Sequence, residues 1–316
     1  MLNVLFGFGY ATLISKVSNK GIDPIFFFLK RMLWLFAIGL LNTFFYYGDF
    51  LKDYAIVGAL FLFFYKASAR ISLYIAIALM LTYPFMTDFF YARFPTTQSI
   101  DIRLYESKNL LTVFSYGFKE GTRELYESGR LLGINLFVLA CFLSGQYLQK
   151  IDFFHKIVSN RNLSKKIFWS SLGATIIIAV VSNSLTHVFK IHFFKHYNIQ
   201  FWIEFGVMLV FISAFCWMYK KGRLKLFFTA LQAVGKMTLS NYIIQNIVGL
   251  LLFSGYGLGL LHRLPFFGYI FIAVSIYVLQ VYYSRWWLIK YNYGPVEWIW
   301  RQLTYMQRLP LKRRTL

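Results

Sequence analysis

Long apolar stretches, broken by short polar ones, organise the chain. A helix that crosses a bilayer needs about 20 mostly apolar residues. Stretches of that kind occupy 71–90, 131–149, 167–189, 200–219, 238–261 and 265–284. Three shorter ones lie at 2–15, 32–47 and 54–65. The last two would cross only if flanking residues such as Lys52 and Lys66 snorkel toward the headgroups; the alternative is a re-entrant hairpin. Stretch 2–15 reads as the tail of a helix whose beginning is missing. The pattern predicts an all-α protein, a polytopic transmembrane helix bundle of about 8–9 membrane segments. It forms a single integral membrane domain over 1–316, with N-terminal helices in 1–90, an extracytoplasmic segment in 91–130 and further helices in 131–316.

Two amphipathic patterns stand outside the spans. In 106–118 the apolar residues Leu110, Leu111, Val113, Phe114 and Phe118 recur at helical spacing, which predicts a helix lying on the bilayer surface. After Tyr293, Pro295 fits a first helical position and Glu297 a first turn, while Trp298 and Trp300 suit the headgroup zone.

Composition sharpens this picture. Of 316 residues 58% are hydrophobic and 14% charged, against about 25% charged in soluble domains, which argues against a water-soluble enzyme and against disorder. The net charge of +21 would suggest nucleic acid in a soluble protein. Here it follows topology. With the nine stretches alternating across the membrane and the C-terminus cytoplasmic, the inner segments hold 23 Lys and Arg against three acids, and the outer ones 10 against eight. That is the positive-inside asymmetry, and no nucleic-acid partner is expected. Cys141 and Cys216 both sit in apolar stretches, which speaks against a disulfide framework or a cysteine metal site.

Polar residues in hydrocarbon are costly and usually face the protein interior. One cluster is Ser182, Asn183, Ser184, Thr186 and His187, followed by Glu204 one turn into the next helix. It reads either as a histidine base oriented by a carboxylate or as a buried structural pair; no metal motif fits its spacing. A second is Asn241, Gln245 and Asn246 after Lys236, at the inner end of its helix. It serves as hydrogen-bonding glue between helices or as a polar entry for a cytosolic ligand. The third is Gly48, Asp49 and Asp53, with Asn42 upstream, in an outer turn that is either solvated or faces a substrate or ion. Gly255, Gly257 and Gly259 mark a bend or a close approach near the outer surface.

The stretch Val234-Gly235-Lys236-Met237-Thr238-Leu239-Ser240-Asn241-Tyr242, then Gln245 and Gly255-Tyr256-Gly257-Leu258-Gly259, resembles the C-terminal signature of the YeiB-like bacterial membrane proteins, domain of unknown function 418. Ser284-Arg285-Trp286-Trp287 and Tyr293-Gly294-Pro295-Val296-Glu297-Trp298 extend the likeness. So do Leu5-Phe6-Gly7-Phe8-Gly9 and the hairpin Gly48-Asp49-Phe50-Leu51. Lys236 stands where relatives often carry Arg, Ser240 where Thr is usual, and Asn42 at a hairpin position associated with His. The family's opening helix has no counterpart in the chain. The resemblance implies a multi-pass protein of the bacterial inner membrane, distantly similar to membrane acyltransferases that modify extracytoplasmic sugars.

On that basis the expected activity is acyl transfer from cytosolic acyl-CoA, as co-substrate with no bound cofactor, to a sugar or lipid-linked acceptor. His187 and Glu204 are the expected catalytic pair, with Asp49, Asn183, Lys236, Asn241 and Gln245 near substrate. The alternatives are a transporter or flippase, with Glu204 coupling protons, and a non-catalytic assembly partner in the membrane.

Overall fold

The computed structural model describes residues 2–93, 106–123, 125, 128–184, 197, 199–220 and 224–313. Among them are 13 α-helices and no β-strand. They are α1 (Leu2–Ser18), α2 (Pro24–Asn42), α3 (Leu51–Phe61), α4 (Ala69–Arg93), α5 (Leu110–Arg123), α6 (Ser128–Lys150) and α7 (Phe153–Ser159). The rest are α8 (Arg161–Asn183), α9 (Gln200–Lys220), α10 (Lys225–Lys236), α11 (Thr238–Phe253), α12 (Phe266–Lys290) and α13 (Pro295–Tyr305). Five are long and apolar enough to cross a membrane: α2, α4, α8, α9 and α12. Their outward residues are large and apolar, as with Ile177 on α8 and Phe271 and Leu279 on α12, each more than 60% exposed. A water-soluble monomer rarely shows such faces; hydrocarbon covers them at no cost.

Helix boundaries depart from the apolar stretches where polar groups find partners. Helix α2 begins at Pro24, eight residues before the stretch at 32–47. Lys30 and Arg31 are tolerated inside it because each lies over an aromatic ring, Lys30 over Phe26 at 4.2 Å and Arg31 over Trp300 at 3.6 Å. Helix α3 has only 11 residues, about 16 Å of rise, too short to cross a hydrocarbon core alone. Helix α11 stops at Phe253 rather than 261, because Gly255 and Gly257 let the chain turn against the Glu106 and Leu251 carbonyls, and Gly259 takes a left-handed φ of 60°.

The chain divides into two units. Unit 1 comprises Met1–Pro24, Leu60–Thr96 and Glu127–Lys225. In it α6 packs on both α1 and α4, and α8 on α9. The α1–α6 seam is tight at Gly7 and Gly145, where an added Cβ would overlap the facing backbone, the small-residue packing that membrane helices use in place of a hydrophobic drive. Gln146 on α6 donates to the Phe64 and Tyr65 carbonyls at 3.1 Å and accepts from Ser72 Oγ. Those carbonyls end a short 3-10 turn, Leu62–Phe64, after α3, and backbone groups away from water need such partners. Cys141 is buried in this unit's core beside Val4, Met80 and Ala140.

Unit 2 comprises Ile25–Ala59, Thr97–Tyr126 and Leu226–Leu316. Its C-terminal helix α13 starts at Pro295, with Glu297 in the first turn. The Glu297 carboxylate accepts from Ser240 N (3.0 Å) and Ser240 Oγ, and Ser240 Oγ accepts from Val296 N (3.0 Å). One acid thus satisfies orphan donors at the start of α11. Trp300 is buried in the protein and donates to the Arg31 carbonyl at 3.0 Å. Glu297→Ala should lower the unfolding midpoint of the detergent-solubilised protein, at a cost of about 1–2 kcal/mol. An unchanged midpoint would remove this clamp from the account of unit 2.

Helix α5 also packs against protein. Its spacing suggested a helix resting on the bilayer, yet Val113, Tyr116, Glu120 and Gly121 are buried. Phe118 stacks on Phe44 with centroids 4.9 Å apart, and Phe114 meets Phe44 and Phe45 edge-on. Its buried face is therefore docked on the 43–50 hairpin turn, while Leu111 stays exposed.

Candidate functional site

The hairpin turn between α2 and α3 carries Asp49, and it is not solvated: Asp49 and Lys52 are both fully buried. Asp49 Oδ1 accepts from Asn42 Nδ2 at 2.8 Å and from Tyr242 Oη at 2.9 Å. Its Oδ2 accepts from Leu51 N at 3.1 Å, which closes the turn two residues on. Gly39 on α2 makes room, since a Cβ there would stand 2.9 Å from both Asp49 Oδ2 and Lys52 N. Lys52 does not snorkel. Its ammonium donates to the Gly121 carbonyl on α5 at 2.7 Å, and its charge acts on Asp49. Burial pushes the Asp49 carboxyl above its ordinary range, against the opposing pull of Asn42, Tyr242, Lys52 and the Leu51 amide.

A hydrogen bond of 2.9 Å places Asp49 and Tyr242 at one depth. The charge pattern had put the Asp49 turn at the outer face and the start of α11 at the inner one. In the structure the two polar clusters form one site. Asn42, Asp49 and Lys52 are all buried within the protein at this turn.

Beside this pair lies a cavity of about 660 Å³. Helix α11 gives it one stripe, Tyr242, Gln245, Asn246 and Gly249, spaced three and four residues apart. The hairpin turn contributes Phe45, Tyr46, Tyr47 and Phe50, and α5 contributes Tyr116. Helix α12 adds Tyr269, Ile272, Ala273 and Ile276. His262, exposed and with a left-handed φ of 59°, stands at the edge. Tyr242 is therefore a residue of the wall whose hydroxyl is held by a buried carboxylate.

Of the residues singled out in the sequence, Asn42 and Asp49 of the hairpin and Gln245 and Asn246 of the cavity wall meet at this site. Asn241 does not line the cavity. It is buried between α11 and α12, where Nδ2 donates to Ser284 Oγ at 2.9 Å and its carbonyl accepts from Gln280 Nε2 at 3.0 Å, a helix-joining role. Lys236 is exposed at the end of α10. Glu204 belongs to unit 1, exposed on α9. His187 lies outside the described residues, as does the side chain of Asn183. Among the described residues no three His, Cys, Asp or Glu side chains converge as a metal site. Tyr242 and the hairpin tyrosines were not among the expected site residues and Lys52 was read as snorkelling, although Tyr242, Gln245, Asn246 and Gly249 share one face at helical spacing.

A family model described as a protein of unknown function (DUF418) matches residues 148–307, half of the chain and all of α11 to α13. The chain belongs to the DUF418 family. An uncharacterised Bacillus subtilis (strain 168) protein, YxaH, is 26% identical over 337 residues, covering 100% of this chain and 81% of the relative. An uncharacterised 39.9 kDa protein of Bacillus acidopullulyticus, encoded in the amylase 3' region, is 24% identical over 98% of this chain and 80% of its own length. YeiB of Escherichia coli (strain K12), also uncharacterised, is 36% identical over 75 residues, 24% of this chain and 19% of YeiB. No solved structure matches the chain. The matched region takes in α8, α9 and α12 of the long apolar helices together with Tyr242, and its description names no reaction.

Proposed function

We propose that this DUF418 protein is a multi-pass acyltransferase of the bacterial inner membrane, which moves an acyl group from cytosolic acyl-CoA to a hydroxyl-bearing ligand held in the unit 2 cavity. The observation that carries the reading is Tyr242, a residue of the cavity wall whose hydroxyl donates to an Asp49 carboxylate that burial makes more basic. A general base works best with a pKa brought toward the working pH. The acceptor hydroxyl gives its proton to Tyr242 Oη as the phenol proton passes to Asp49. The acceptor oxygen bonds to the thioester carbonyl carbon, the C–S bond breaks, and the departing thiolate takes the proton. This reading replaces His187 and Glu204 as the base and its support with Asp49 and Tyr242.

The test is transfer from labelled acyl-CoA to membrane-extract acceptors in proteoliposomes. Asp49→Asn should lose about 100-fold or more, as removal of a positioned base does, while His187→Ala retains turnover. The acid limb of the wild-type rate should fall above the ordinary carboxylate pKa of about 4. Turnover unchanged in Asp49→Asn, or abolished in His187→Ala alone, overturns the assignment.

A further inference from the structure

The unit 2 cavity has an unusual wall for a chain of net charge +21. Among the described residues 17 line it, of which eight are aromatic and none is Lys or Arg. Its remaining polar members, apart from His262 at the edge, are the neutral amides Gln245 and Asn246. Consecutive rings are inclined to one another rather than coplanar. Tyr46 and Tyr47 have centroids 5.7 Å apart at 35°, and Tyr47 and Tyr116 are 6.3 Å apart at 62°. Phe253 and Tyr269 form a further inclined pair, 5.8 Å apart at 37°. These rings all belong to residues that line the same cavity, so the wall is rich in aromatic surface set at several inclinations.

We infer that the ligand of this cavity carries a quaternary ammonium group, caged by the tyrosine and phenylalanine rings. The inference rests on the reading above that the cavity is the ligand site, and deepens it by naming the ligand's chemistry. A quaternary ammonium donates no hydrogen bond and is held by ring faces and dispersion, which this wall supplies. A phosphate or carboxylate would need cations, and none of the described lining residues is one. A carbohydrate would find tyrosine hydroxyls and the two amides but no partner along Leu250, Ile272, Ala273 and Ile276, and methyl glucoside is therefore the competing probe below. The hydrogen bond from Tyr242 to Asp49 adds to the effect, because a phenol that donates to a carboxylate has a more electron-rich ring. The same group that would take the acceptor's proton therefore strengthens the cage.

The experiment measures binding to the full-length detergent-purified protein by calorimetry, with choline, its uncharged isostere 3,3-dimethylbutan-1-ol and methyl glucoside as probes. Choline should bind about tenfold or more tightly than the isostere. Tyr47→Leu should lose about tenfold of that affinity, while Tyr47→Phe, which keeps the ring, binds like the parent. Equal binding of choline and the isostere, preference for the glucoside, or a Tyr47→Leu protein that binds choline normally each overturns the inference. Choline selectivity without acyl transfer to any hydroxyl leaves the cage standing and overturns the transferase reading. Transfer to neutral acceptors with no choline selectivity does the reverse.

Discussion

Lys52→Met is expected to destabilise unit 2 by about 3–5 kcal/mol, the cost of stripping one member from a buried charged pair. The Lys52 ammonium is fully buried, donates to the Gly121 carbonyl and balances Asp49. Methionine fills similar volume but leaves a buried carbonyl without its donor and a carboxylate without its neighbouring cation. The penalty should depend on pH with a definite sign. Burial raises the folded-state pKa of Asp49 above its unfolded value, and Lys52 is among the groups that oppose that rise. A carboxyl raised on folding contributes stability that is fully present below the unfolded pKa of about 4, and that contribution is lost as pH rises through the folded value. Removing Lys52 raises the folded value further and deepens the loss at neutral pH. Denaturation of the variant in detergent should therefore show a smaller deficit near about pH 4.5 than near about pH 7.5. Asp49→Asn in the same background should recover part of it. A deficit flat with pH and untouched by Asp49→Asn would show that Lys52 acts only through Gly121.

Gly145→Val should disrupt unit 1 by about 3 kcal/mol or more. A Cβ at Gly145 would fall on the Val4 carbonyl and approach the Phe8 amide and Gly7 carbonyl carbon, all backbone atoms of α1. No rotamer change relieves a clash with a main chain, so α1 and α6 would have to part, losing the contacts of Phe6 and Phe142, whose rings stack 5.1 Å apart. The contrast is Gly173 on α8, where an added Cβ meets nothing within 4 Å. Gly173→Ala should be neutral or stabilise by up to about 1 kcal/mol, since alanine restricts the unfolded chain and favours helix. Similar melting of the two variants would mean the α1–α6 seam is looser than the structure has it.

Much of the fold was legible because hydrocarbon leaves the chain few options. Stretches such as 200–219 had to become helices, and α9 runs over Gln200–Lys220. Pro295 and Glu297 marked the start of α13 because a helix N-terminus has fixed chemical needs. The site was less legible, for a physical reason. Asp49 and Tyr242 are 193 residues apart, and each alone looked ordinary, a turn acid and an apolar-helix tyrosine. Lys52 misled because a lysine beside a short apolar stretch usually reaches for water, whereas this one reaches the end of α5. The α5 helix misled in the same way: its amphipathic spacing fits a lipid surface as well as a protein surface, and only the aromatic turn at 44–45 distinguishes them.

Unit 2 is gathered from an early, a middle and a late piece of the chain, and its last helix joins α11 through Glu297 and α2 through Trp300. A ribosome must therefore deliver nearly the whole polypeptide before this half can close. Until then the nascent hairpin carries Asp49 without Tyr242, and the start of α11 waits without its acidic cap. A premature stop codon after residue 294 would thus do far more harm than its size suggests, handing the quality-control proteases an insertion intermediate with a polar, unfinished interior.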